Sequence, residues 1–353
     1  MKTTIEGVHI KAIASCLPSK IKLIDQYAEE FGEKKIKRIK KSTGVESVHI
    51  VQDGETASDL CMKAAKQLFS EGICLPTDID GVLYVSMSPD YKAPATSFIL
   101  QDKLDITTEA VAMDLNYGCS AYVYGLYQAC MLIKAGGCKK VLLCTGDEQS
   151  QMVHSKDRAM KMLVGDAGTA TLVEAGNDTF NFHFKSMGAN YDKLIITAGG
   201  YRMPCSEKTK EEITDEDGNV RTLENLYMNG MEVMKFAITE VPPAIESIYK
   251  QSGLNKEEID LYAMHQPNKL ILDYLMNSMK IAPDIMPVGL QKTGNTGSAS
   301  IPLLLTVLKE RGYDFSEAKN VIACGFGIGL SIGTVNIDLS KTEILAAETG
   351  DMA

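Results

Sequence analysis

Three residues suited to nucleophilic catalysis stand in turns of this 353-residue chain. Cys119 lies in "MDLNYGCSAYVYGLYQAC" (113–130), after an apolar run and a glycine and just before a small-residue amphipathic stretch. The pattern predicts a strand, a tight turn and the first turn of a helix. A thiolate there faces unpaired N–H groups and the positive end of the helix dipole, so its pKa is expected to fall and the sulfur to become a usable nucleophile. "MHQPNK" puts His265 directly after the apolar run 259–264, with Asn268 three residues on. "GNTGSAS" puts Asn295 in a glycine-rich turn before a helix from about 298. Each has an ordinary alternative: a small buried thiol, a histidine satisfied by the core, an asparagine that simply makes a turn. Their weight comes from the places they share.

Near-continuous apolar runs at 79–86, 141–146, 259–264 and 321–325 read as buried parallel strands alternating with helical patterns, which is the α/β class. "DIDGVLYV" at 78 and "EIDLYAMH" at 258 are offset by 180 residues, as are "KKVLLCTGD" at 139 and "KNVIACGFG" at 319. Between each pair a glycine-marked turn opens a helix. The chain therefore reads as an internal duplication, with halves at 1–175 and 176–340, a seam near 174–182 and a tail at 341–353. The charged stretch 200–225 reads as a long exposed excursion, a lid candidate. Ligands of doubly wound sheets bind beyond the carboxyl ends of strands. A pseudo-twofold would bring the Cys119 and Asn295 turns to one crevice, with His265 facing it.

Composition narrows the classes. The net charge of −10 argues against nucleic acid as a general partner. No apolar stretch approaches the ~20 residues of a membrane span, and "MKTTIEGVHIKAIASCLPSK" reads as a strand and turn rather than a secretory signal. Nine cysteines without a C-x-x-C pair argue against a disulfide framework or a metal site, so a reducing cytoplasm is expected. "EKKIKRIKK" (33–41) carries six positive charges and one negative, either a solvated helix face or a docking patch for an acidic partner.

"GCSAYVYGLYQA", "GDAGTATLV", "HQPN", "GNTGSASIP" and "CGFGIGLSIG", in this order from about residue 5 to 338, resemble the β-ketoacyl-acyl carrier protein synthase III family of the thiolase superfamily. The resemblance implies a five-layer αβαβα fold of two similar halves, a homodimer, and a two-step reaction of lipid metabolism. Cys119 takes an acyl group from a thioester, with an oxyanion hole from the backbone N–H of Cys119 and one at Gly327 or Ile328. A malonyl thioester is then decarboxylated, and His265 and Asn295 stabilise the enolate that attacks the acyl-Cys. Asn268 is expected to orient the His265 loop. No cofactor is implied; the substrates are acyl-carrier protein or acyl-CoA, and malonyl-carrier protein.

The resemblance is incomplete at the tunnel mouth. The family's tryptophan and arginine around the "TGV" turn are missing: the chain has no tryptophan, and Arg38 and Ser42 stand there. Leu270, beside Lys269, replaces an arginine, whereas Arg158 matches a position that packs against the adenine of coenzyme A. Together with the basic run, this directs expectation to carrier-protein substrates docking near Arg38 and Lys269. Ala93 at a usually bulky position, with Met231 and Met234 on the following helix pattern, suggests a longer or irregular acyl chain. These departures fit a specialised pathway as well as fatty-acid initiation.

Other readings remain. An acyltransferase of the same fold could pass its acyl group to an amine or alcohol without decarboxylation. A Cys–His–Asn hydrolase fits the 146-residue spacing of Cys119 and His265, but not the C-G-x-C-W setting or the duplication. A thiolase would need a second cysteine as base, and Cys324 falls one residue out of register.

Overall fold

A computed structural model describes residues 1–350. The elements that position the site are, in chain order, β1 (Lys2–Pro18), α1 (Glu33–Thr43), α2 (Ala57–Ser70), β2 (Gly81–Ser86), α3 (Thr96–Lys103), β3 (Val111–Asn116), α4 (Ala121–Lys134), β4 (Lys140–Asp147) and β5 (Ala167–Ser186). They continue with α5 (Gly230–Ser252), β6 (Leu261–Met264), α6 (Lys269–Met279), α7 (Ser300–Glu310), β7 (Val321–Gly327) and β8 (Ser331–Ile337), then the short strands β9 (Glu343–Ile344) and β10 (Glu348–Gly350).

The four apolar runs are strands β2, β4, β6 and β7, buried along almost their whole length. In the first half the order is β3-β2-β4-β5, with β2 parallel to both neighbours and β5 antiparallel to β4; β1 pairs antiparallel beyond β5. The second half repeats it as β6-β7-β8-β5, with β6 parallel to β7 and the other two pairings antiparallel. Tyr262 N–H donates to Ile285 O at 2.7 Å, so the segment at 285 takes the place β3 has in the first half.

Side-chain alternation along these strands sets the layers. Val82, Tyr84, Leu142 and Cys144 pack with α2 and α3 residues such as Leu60, Leu68 and Leu100. The intervening Leu83, Val85, Val141 and Leu143 share a cluster with Leu126 of α4, Leu304 of α7, and Leu261 and Val321 of the second sheet. Tyr262 and Ile322 face the other way, onto α5 and α6 through Ile245 and Leu272. Helices α4 and α7 thus lie between two sheets, which is the five-layer αβαβα arrangement of the thiolase fold. Such two-sided burial requires the near-continuous apolar strands seen in the sequence.

The expected boundary at 175/176 falls inside one strand. Residues 167–174 of β5 pair with β4 and residues 181–186 pair with β8, so the chain changes sheets without leaving extended conformation. A register shift where Val8 faces both Ala175 and Asp178 accommodates the change. Lys2–Glu6 lies across this seam, beside Thr179–His183. Within the expected tail, 341–353, the strands β9 and β10 add to β1 as parallel strands, and residues 351–353 lie outside the described residues. The 200–225 stretch holds a small hairpin, Ile213–Thr214 with Val220–Arg221. Among the described residues no helix is long and apolar enough to cross a membrane.

Candidate active site

Cys119 stands in the turn between β3 and α4, where Ala121 N–H closes on Gly118 O at 2.7 Å. The opposite wall is the end of β7. A side chain at Gly327 would put its Cβ 2.7 Å from both Cβ and Sγ of Cys119, and one at Gly325 would lie 2.7 Å from Ser120 Cα. Only glycine lets the strand come this close to the thiol, and the φ of 152° at Gly327 points the same way. The lowered thiol pKa expected from the helix terminus is not found. Burial pushes the Cys119 thiol up to about 11, outweighing the downward pull of the N–H groups of Ile328 and of Cys119 itself. Those two backbone donors, rather than the Gly327 N–H, face the sulfur.

His265 follows β6 and is 1% exposed. Its Nδ1 lies 2.6 Å from Ser300 Oγ at the start of α7, its N–H donates to Cys324 O at 2.8 Å, and its ring meets Phe326 edge-on at 5.5 Å. Burial holds its pKa down at about 3, so the imidazole is neutral at physiological pH. Asn295 is clamped by backbone: its N–H donates to Leu163 O at 2.9 Å and its carbonyl accepts Gly165 N–H at 3.0 Å. Its side-chain Oδ1 accepts Gly297 N–H at 3.0 Å, which leaves Nδ2 as the free end of the amide. Asp147, fully buried where β4 ends, accepts Ser298 N–H at 2.8 Å and Met87 N–H at 2.8 Å. Burial raises this carboxyl to about 7 against those hydrogen bonds, which tie the Asn295 turn to the first half.

All three side chains line one cavity of about 900 Å³, measured out to its open mouth. Asn268 lines it too, and its Oδ1 caps α6 by accepting Ile271 N–H at 2.9 Å. Gly327, Ile328 and Met234 complete the expected residues on its wall. Cys324 is buried on β7, its sulfur meeting Thr334 Oγ1 at 3.4 Å, and does not line the cavity.

The other expected binding residues lie elsewhere. Met231 is 83% exposed, because it sits on the first turn of α5 past the edge of the core. Ala93 is in an exposed loop before α3. Arg158 donates to Asp217 O of the 213–221 hairpin and does not line the cavity. Lys269 pairs with Asp273 on α6, and its Cβ packs over Gly44 at the end of α1. Arg38 is exposed on α1. Sequence reasoning missed the apolar wall of Met87, Met160, Leu163, Leu226 and Ile271, and one polar residue, Gln149. Gln149 follows the end of β4 by two residues, a strand-end position of the kind that flagged His265.

The duplicated five-layer fold is that of the thiolase superfamily, and comparison with known proteins narrows the class. Residues 113–189 match the family "3-Oxoacyl-[acyl-carrier-protein (ACP)] synthase III", and residues 249–339 match its C-terminal counterpart. The putative 3-oxoacyl-[acyl-carrier-protein] synthase 3 of Campylobacter jejuni is 31% identical over 95% of this chain and 94% of its own length. The β-ketoacyl-[acyl-carrier-protein] synthase III of Caldanaerobacter subterraneus is 30% identical over 94% and 98%. A crystal structure of a 3-oxoacyl-(acyl-carrier protein) synthase from Burkholderia xenovorans superposes with a TM-score of 0.92, at 31% identity and 99% coverage of both chains. The chain belongs to the 3-oxoacyl-[acyl-carrier-protein] synthase III family.

Proposed function

We propose that this enzyme condenses a Cys119-bound acyl group with a malonyl thioester. The observation that carries the reading is the convergence of Cys119, His265 and Asn295 on one cavity whose other walls are mostly apolar. Because the free thiol is held protonated, acylation needs a base. Neutral His265 is the basic side chain lining the cavity among the described residues. Its Nε2 takes the thiol proton as sulfur attacks the donor carbonyl, and returns it to the departing thiol. The N–H groups of Cys119 and Ile328, which face the sulfur, are the proposed donors to the tetrahedral oxyanion.

In the second half-reaction the malonyl carboxylate leaves as CO₂ and charge gathers on the thioester oxygen. Asn295 Nδ2 is a donor there that Oδ1, tied to the Gly297 N–H, holds in orientation, and a carboxamide does not give up its proton. His265 is a second donor when Ser300 O–H turns to donate into Nδ1 and the ring proton sits on Nε2. The enolate carbon then attacks the acyl-Cys carbonyl, the C–S bond breaks, a β-ketoacyl thioester departs, and the released Cys119 thiolate takes up a proton from solvent to restore the thiol.

Acyl carrier protein is the proposed partner. Leu270 lines the cavity yet is 50% exposed, so it marks the mouth, and neighbouring Lys269 packs against the end of basic helix α1. An acidic carrier would meet Lys34, Lys35, Lys37 and Arg38 there. A homodimer is proposed from the half-buried edge strand β3, which has a neighbour on one side only; light scattering in solution checks it. Nine unpaired cysteines suit a cytoplasmic enzyme. The reaction is tested by intact-mass spectrometry with a panel of acyl thioesters, followed by a malonyl thioester. The expected result is a single adduct on Cys119 that the malonyl thioester discharges to a β-ketoacyl product; an adduct released only to water or to an amine would overturn it.

A further inference from the structure

Among the described residues five polar side chains line the cavity, and four have assigned partners. Backbone donors face the Cys119 sulfur, Ser300 meets His265, Asn268 caps α6 and Asn295 accepts Gly297 N–H. The fifth is Gln149. It is 3% exposed, and its Nε2 is enclosed without any hydrogen-bond partner. A buried amide in that state destabilises the fold, and leucine or methionine would fill the space without the penalty. The position of the group is informative. A Cβ on Gly297 would fall 2.3 Å from Gln149 Nε2 and 2.4 Å from Asp147 Oδ2, so the amide lies against the turn that carries Asn295. Asn295 is one of the three side chains assigned to the reaction, so the amide stands at their end of the cavity, within the space open to an acyl group on Cys119. The apolar walls of the cavity, Met87, Met160, Leu163 and Ile271 among them, offer the amide no partner.

We propose that Gln149 is a specificity residue that reads a hydroxyl on the acyl substrate, so that this enzyme takes hydroxyacyl thioesters oxygenated on the second or third carbon. A hydroxyl suits a carboxamide at either end, since it accepts from Nε2 as readily as it donates to Oε1. A plain acyl chain leaves the amide unpartnered in a site that has by then lost its water, and such sites reject the analogue lacking the oxygen. The inference rests on the reading of Cys119 as the acylated residue.

The test is competition. Wild type, Gln149→Leu and Gln149→Met are each given equal amounts of butyryl-pantetheine and either its 2-hydroxy or its 3-hydroxy counterpart, and the early acyl-enzyme is read by intact mass. Wild type is expected to favour at least one hydroxyacyl group by about tenfold, and both variants to shift the ratio towards butyryl. Equal loading in wild type, or a ratio unchanged in both variants, overturns the assignment of Gln149 while leaving acylation intact. If no thioester loads, or the adduct persists in Cys119→Ala, the reading of Cys119 fails and takes the inference with it.

Discussion

Asp80 and Asp260 are 180 residues apart and brace their halves identically. Asp80 Oδ2 accepts the Lys139 and Lys140 N–H groups at 2.7 and 2.9 Å, at the start of β4. Asp260 Oδ2 accepts those of Lys319 and Asn320 at 3.0 and 2.8 Å, at the start of β7. At the opposite ends of the same strands the likeness stops. Val85 in the first half faces the core where His265 in the second faces the cavity, again 180 residues on. Asp147, a buried brace, corresponds to Gly327, whose missing side chain admits the Cys119 sulfur. Where strands begin, both halves need the same hydrogen bonds to start a sheet. Where strands end, they are free to differ: in the proposed reaction the first half supplies the group that forms a covalent bond, and the second supplies groups that donate and accept protons.

That division is open to attack. Cys119→Ala should abolish the acyl-enzyme completely, with no adduct in intact-mass spectra and no condensation; residual adduct would mean the first half does not hold the nucleophile alone. Asn295→Ala and His265→Ala should separate the half-reactions. Asn295→Ala is expected to load at close to the wild-type rate but to lose about 10²–10³-fold in condensation, the usual cost of one oxyanion donor. His265→Ala should lose both steps, because it removes the base and a donor together. Equal damage to acylation in the two variants, measured by rapid-quench loading, would erase the distinction between them.

Much of this was legible in the sequence because it is local. Buried parallel strands announce themselves as apolar runs, and the glycine turns holding Cys119 and Asn295 flank the helices that must lie between the sheets. The rest depends on what arrives from elsewhere in the chain. The raised pKa of Cys119 comes from burial beneath the end of β7, some 200 residues away in sequence, and no helix-terminus argument includes that. Arg158 is claimed by Asp217 of a hairpin whose docking has no sequence signature. Met231 and Met234 share one helix, yet α5 carries only Met234 into the wall. Gln149 is polar in an apolar cavity, and a short polar stretch after a strand conceals it as a turn.

The titration of the site gives a smaller effect with a definite sign. Thiolate at Cys119 forms only towards pH 11, so alkylation of the free enzyme by iodoacetamide should rise about tenfold per pH unit between pH 7 and 10 without a plateau. The rate must be followed on the Cys119 peptide, because Cys205 is exposed. A plateau near neutrality would show that the helix terminus prevails after all. His265 contributes in the acid range. The folded protein holds it at about 3 while the unfolded chain takes up the proton near the ordinary 6.5, so unfolding binds more protons and stability should fall as pH drops through that window.

The smallest expected effect concerns charge at the mouth, where the two halves meet through α1 and α6. The chain carries a net −10, so helix α1 is a local reversal of its field. Such a patch acts mainly on the rate of encounter with an acidic partner and is screened by salt. Replacing Lys34, Lys35 and Lys37 by glutamate should lower kcat/KM for a carrier-borne acyl group about tenfold at low ionic strength. The difference should shrink at high salt, and turnover of a short pantetheine thioester should hardly change. These lysines are exposed, so folding is little affected. If both donors lose activity equally, α1 is acting on the cavity through Gly44 and Lys269 rather than on the partner. The charge would then be incidental to docking.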